Sequence, residues 1–127
     1  MDSLKKFGKY VIENWRDRTI SNQLFLFSEE ERVDANEHEF ELLINSLNDK
    51  QRECLIKLIA NTVDITIFNV LCSLQESDDS DEGIEIRVDN INLAKLPEDM
   101  SSGMLHGEMF EWIEQFSKYL DLKTLDS

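Results

Sequence analysis

Asp49 to Gln75, DKQRECLIKLIANTVDITIFNVLCSLQ, decides the reading of this chain. From Leu55 to Leu74 its apolar residues fall on nearly every side of a 3.6-residue repeat, which predicts a helix buried over most of its circumference. The β-branched run Thr62, Val63, Ile65, Thr66, Ile67 favours a strand, but an unbroken strand of this length would far exceed the usual 5 to 6 residues or so. The span contains no Gly or Pro, and Asn48 or Asp49 can cap its start by accepting from backbone N–H groups that lack a helical partner. It is expected to be the spine of the core.

A polar ridge crosses this spine. Lys57, Asn61 and Asp64 follow one another at spacings of four and three, so their side chains share a helix face. The simpler reading is a solvent strip with a Lys to Asp attraction along it. The sharper one is a cleft in which apolar walls shift the Lys and Asp pKa values and make a ligand or active site, with His106 as a further candidate.

Working outward, the 127 residues suit one domain able to bury a core without disulfides or metal. The chain carries 27 acidic against 13 basic side chains, a formal charge of −14, which disfavours nucleic acid and anionic membrane and favours a basic partner. The basic side chains are concentrated early, with Lys5, Lys6, Lys9, Arg16 and Arg18 among the first 18 residues. No basic start leads into a long apolar h-region, and no uninterrupted apolar run reaches the roughly 18 to 20 residues of a membrane span, so a cytoplasmic protein is expected. Cys54 and Cys72 would stand about 27 Å apart on one continuous helix, too far to pair with each other. They read as small buried hydrophobes, and no metal or cofactor is expected.

Before the spine, Leu4, Phe7, Val11 and Trp15 define an amphipathic helix over Ser3 to Arg18, in which Gly8 suits a close helix contact. Ile20 to Phe27, ending in Leu24, Phe25, Leu26 and Phe27, reads as a short buried helix or strand. Glu29, Glu30, Glu31, Asp34, Glu37, Glu39 and Glu41 then form an acidic block running into a helix from about Glu37 to Leu47, with Phe40, Leu43, Ile44 and Leu47 as its apolar stripe. The short connector Ser46 to Asp49 makes this helix and the spine an αα-hairpin.

After the spine, Ser77 to Gly83 reads as a charged loop bearing Asp78, Asp79, Asp81 and Glu82. Its alternating oxygens resemble the start of a calcium loop, but Glu85 and Asp89 stand where that loop needs an apolar residue and a Glu. Ile84, Ile86 and Val88 alternate with polar residues as a strand, Asp89-Asn90 can turn it, and Ile91 to Leu96 can pair back as a small β-hairpin. Pro97 to Gly103 reads as a loop. A last helix over about Gly107 to Leu120 carries Trp112, Phe116 and Tyr119, either as core or as the aromatic anchors of a homodimer, before an exposed tail from Asp121.

Leu47-Asn48-Asp49-Lys50-Gln51-Arg52, Val63-Asp64 and Phe68, together with Gly107-Glu108, Trp112-Ile113-Glu114 and Phe116-Ser117-Lys118-Tyr119, resemble small uncharacterised acidic proteins of bacteria. Some such proteins are immunity proteins of toxin systems. The resemblance implies a noncatalytic module and transfers no functional residue.

The expected architecture is mainly α, with about four helices packed on a central buried helix (49–75) and a small β-hairpin (about 84–96). The expected function is a noncatalytic, acidic protein-binding module of the immunity or antitoxin kind. Glu29, Glu30, Glu31, Asp34, Glu37 and Glu39 make one candidate patch for a basic protein, and Asp78, Asp79, Asp81 and Glu82 make a second. The alternative is a small enzyme or ligand-binding protein with a cleft around Lys57, Asn61, Asp64 and His106.

Overall fold

The computed structural model describes residues 1–27, 38–80, 82–96 and 103–122. The fold is mainly α with a small antiparallel β-hairpin. Asp2 caps α1 (Ser3–Tyr10) by accepting from Lys5 N at 2.8 Å. The helix runs without interruption into a π-helical segment, Val11–Asp17, then into α2 (Arg18–Leu24) and a 3-10 turn at Phe25–Phe27. The two N-terminal elements expected from the sequence are therefore one continuous helical run over 3–27.

The π segment corrects which residues face inward. The spacing Leu4, Phe7, Val11, Trp15 assumes 3.6 residues per turn, whereas i→i+5 turns add a residue and rotate the buried stripe. Arg16 and Asp17 consequently turn into the protein, and Trp15 is left half-buried.

α3 (His38–Ser46) and α4 (Asp49–Asp79) form the expected αα-hairpin. Asn48 caps α4 through a reciprocal box: its side chain accepts from Gln51 N at 2.8 Å, while Gln51 accepts from Asn48 N at 2.9 Å. α4 has 31 residues, about 46 Å of helix, and extends past Gln75 because Ser77, Asp78 and Asp79 continue its last turn. The loop expected from Ser77 thus begins three residues later, at Ser80.

Expectation and structure differ most on the burial of α4. Only Ala60, Asp64, Ile67, Leu71, Gln75 and Ser77 are buried, and Leu58, Ile65 and Val70 remain 58%, 42% and 41% exposed. The helix is covered along a stripe because the elements packed on it lie to one side. By length and composition alone it is apolar enough to cross a bilayer, although Asp64 interrupts its apolar run. On α3, Ile44 is buried while Phe40 and Leu43 of the expected stripe are half-exposed.

The hairpin is shorter than the alternating pattern implies. β1 (Arg87–Val88) pairs with β2 (Ile91–Asn92), Val88 opposite Ile91, and a 3-10 turn over Leu93–Lys95 follows. Asp89 and Asn90 turn the chain with φ of 54° and 65°, the left-handed pair that a two-residue I′ hairpin requires. Lys6 Nζ lies 3.1 Å from Asp89 Oδ1 and ties the hairpin tip to α1.

A 3-10 turn, Leu105–Glu108, leads into α5 (Met109–Phe116), which ends where Ser117 becomes extended; Leu120–Leu122 adds a final 3-10 turn. The predicted helix to Leu120 is therefore cut short at Phe116. Leu4, Phe7, Val11, Ile12, Ile67, Leu71, Leu93, Leu105, Met109, Trp112 and Ile113 make the core, where α1, α4 and α5 meet. Phe7 packs edge-on against Trp112, ring centroids 5.9 Å apart. Gly8 admits the Trp112 ring: a Cβ built at position 8 would stand 2.5 Å from it.

Candidate functional site

The end of α4 is built by local hydrogen bonding. Ser80 closes the helix by donating from N and Oγ to Glu76 O at 3.0 and 2.8 Å. The chain then folds back, with Glu82 N donating to Ser77 O at 2.9 Å and Ile84 N to the buried Ser77 Oγ at 3.2 Å. Gly83 takes a φ of +84° to make this reversal.

These bonds gather Glu76, Asp78, Asp79, Glu82 and Glu85 at the C-terminal end of the longest helix. Its last turn contains no basic residue. Carboxylates at that end face the negative pole of the helix, the opposite of the favourable arrangement. Their local partners are mostly neutral. Asn92 Nδ2 bridges Asp78 Oδ1 at 2.9 Å and Glu85 Oε2 at 2.6 Å, Gln75 Nε2 donates to Asp79 Oδ1 at 3.2 Å, and Ser80 Oγ to Glu82 Oε1 at 3.0 Å. Arg87 supplies a cation to Glu85 Oε1 at 2.7 Å. A depression of about 210 Å³ opens beside them, lined by Ser77, Asp78, Gly83, Ile84, Glu85 and Lys95.

Of the second acidic patch read from the sequence, Asp78, Asp79 and Glu82 are brought together here, and Asp81 lies outside the described residues. Glu76 and Glu85 join them; the helical spacing of Glu76 and the strand pattern around Glu85 were the available signals. Of the first patch, Glu29, Glu30, Glu31, Asp34 and Glu37 also lie outside the described residues. Glu39 is exposed in the first turn of α3, where its charge complements the helix pole.

The polar ridge divides. Asp64 is fully buried and does not pair with Lys57: Arg16 Nε donates to its Oδ1 at 2.6 Å and Nη2 to its Oδ2 at 3.4 Å. Arg16 Nη1 also reaches Ser117 Oγ at 2.7 Å, and Nη2 reaches Leu122 O at 3.3 Å. Asp17 extends the network by accepting from Ser117 Oγ and Lys118 N at 2.8 and 2.9 Å. The sequence reading counted Arg16 only among the early basic side chains, whereas it joins the N-terminal run to α4 and to the chain beyond α5.

Lys57 is exposed and Asn61 half-buried. His106 packs edge-on against Phe68, centroids 5.2 Å apart, and its buried Nδ1 has no hydrogen-bond partner among the described residues. A groove of about 510 Å³ does lie against α4, but its lining is Asn14, Trp15, Thr19, Thr62, Val63, Thr66, Ile67 and Val70, with none of Lys57, Asn61, Asp64 or His106. Trp112 is 2% exposed, Phe116 is half-buried, and the Tyr119 hydroxyl is 2.6 Å from Ser21 Oγ, so these aromatics serve internal packing.

Among the described residues, no group of three or more His, Cys, Asp and Glu side chains is arranged to hold a metal ion. Protein families, curated proteins and solved structures give no match to this chain.

Proposed function

We propose that the protein is a noncatalytic module that captures a basic protein through the acidic end of α4, in the manner of an immunity or antitoxin protein. The observation that carries this reading is the placement of Glu76, Asp78, Asp79, Glu82 and Glu85 at the negative pole of a 31-residue helix whose last turn has no basic side chain. Like charges concentrated there repel one another and the helix pole, and a Lys or Arg from a partner relieves both repulsions. Neutral donors from Asn92 and Gln75 orient Asp78 and Asp79 without neutralising them, whereas Glu85 already pairs with Arg87. The net charge of −14 extends the attraction beyond the contact and speeds encounter with a cationic surface.

The test is capture from the native host's lysate at low and moderate salt, run in parallel with the triple variant Asp78→Asn, Asp79→Asn, Glu82→Gln. A basic protein retained in stoichiometric amount by the natural chain, released by salt and not retained by the variant, supports the reading. Equal retention by both chains places the contact elsewhere and overturns this assignment.

A further inference from the structure

Beyond α5, residues 117–122 lie on the Arg16 network. Ser117 is extended, with ψ of 141°, and the chain past it stays outside the core: Lys118, Leu120 and Asp121 are exposed, and Tyr119 and Leu122 are half-buried. Polar contacts hold this segment. Asp17 Oδ2 accepts from Lys118 N at 2.9 Å, Arg16 Nη1 donates to Tyr119 O at 3.4 Å, and Arg16 Nη2 donates to Leu122 O at 3.3 Å. Those bonds read the main chain. Others read side chains: Ser117 Oγ accepts from Arg16 Nη1 at 2.7 Å and donates to Asp17 Oδ1 at 2.8 Å, and the Tyr119 hydroxyl meets Ser21 Oγ at 2.6 Å.

We propose that Arg16, Asp17 and Ser21 form a receptor for a partner's peptide segment bearing Ser-x-Tyr, closed in cis by the chain's own residues 117–122, which lift away while the rest of the fold stays intact. A guanidinium that takes C=O groups beside a carboxylate that takes an N–H recognises main chain, and the Ser and Tyr hydroxyls add the sequence preference. The receptor is pre-formed, because Asp64 on α4 holds the Arg16 guanidinium independently of the segment. Opening gives up little apolar burial, since no side chain of Leu120–Leu122 is buried. It also returns to water a buried guanidinium and two buried carboxylates, whose desolvation opposes closure. This site is separate from the acidic end of α4 and does not depend on capture there.

The experiment uses the full chain and begins with native-state hydrogen exchange, which needs no variant. The Lys118 and Leu122 amides are expected to exchange about 100-fold faster than those of Ile67 and Leu71 and with little dependence on urea, as in a local opening. Equal rates with equal urea dependence mean that the segment leaves only on global unfolding, which overturns the proposal. A capped peptide with the sequence of residues 116–122 is then added to the natural chain and to the double variant Ser117→Ala, Tyr119→Phe, whose own segment is held less tightly. The Asp17 and Ser21 amide resonances are expected to shift at about tenfold lower peptide concentration in the variant, because the tethered competitor acts at an effective concentration of about 1 mM. The same peptide carrying Ser117→Ala and Tyr119→Phe is expected to bind about tenfold more weakly. No shift in the variant, or equal shifts with both peptides, overturns the receptor. A concentration-dependent dimer of the natural chain in sedimentation velocity assigns the site to the segment of a second copy and overturns it as well.

Discussion

Arg16 Nε donates to Asp64 Oδ1 at 2.6 Å, and neither side chain is exposed. The pair joins the π-helical turn to the middle of α4 across 48 residues of sequence, and Arg16 goes on to Ser117 and Leu122. Burying the pair costs desolvation, so its net contribution is small, but removal of Arg16 leaves Asp64 and Asp17 buried without this cation, and removal of Asp64 leaves the Arg16 guanidinium buried with only Asp17 at 3.4 Å as a charged partner.

Asp64→Leu and Arg16→Met are each expected to lower stability by about 3–5 kcal/mol. The double variant should lose less than the sum of the singles, because Arg16 and Asp64 are no longer buried without each other, although Asp17 still loses its ion pair with Arg16. Urea unfolding of all four chains closes the cycle. Additive losses would mean that the two side chains act independently.

Gly8→Ala opposes two terms. Alanine gains about 1 kcal/mol of helix propensity, but its Cβ would stand 2.5 Å from the Trp112 ring and displace it. A net loss of about 1–2 kcal/mol is expected. Pairing Gly8→Ala with Trp112→Leu should remove the clash, so that the alanine costs less in that background. Thermal unfolding measures the difference.

The thiol of Cys72 lies 3.5 Å from Glu76 Oε1. Burial pushes its pKa above the ordinary thiol value, and the Glu76 hydrogen bond and charge push the same way. Alkylation of Cys72 at neutral pH is therefore expected to be slow. Glu76→Gln should accelerate it by removing the charge, as followed by mass spectrometry of the modified peptide.

Asp89 has the opposite shift. A hydrogen bond from Lys6, and then the Lys6 charge, hold its carboxyl below the ordinary value, with the Ser3 hydroxyl assisting. A carboxyl depressed in the folded state contributes stability above its unfolded pKa and loses it as pH falls through the folded value. The loss therefore belongs to the range below about pH 4. Asp89→Asn keeps the side chain suited to the left-handed turn and should flatten this part of the acid limb. Melting temperatures from about pH 5 down to pH 2 test the sign.

The sequence by itself determined the helical spine, its start at Asn48 or Asp49, the αα-hairpin and the Asp89-Asn90 turn. These depend on local periodicity, capping chemistry and left-handed backbone preference, all of which act between residues close in sequence. It also marked Asp78, Asp79 and Glu82 as an acidic group. Tertiary structure decided what those elements face. The π turn rotated Arg16 inward to Asp64, so the ridge with Lys57 was divided between a sealed ion pair and open solvent. The one-sided packing of α4 left Leu58 and Ile65 exposed, because periodicity shows which residues are apolar and does not count the elements available to cover them. The longer reach of α4 placed its terminal carboxylates at an unfavourable helix pole, a relation between charge and helix end that appears only once the end is known.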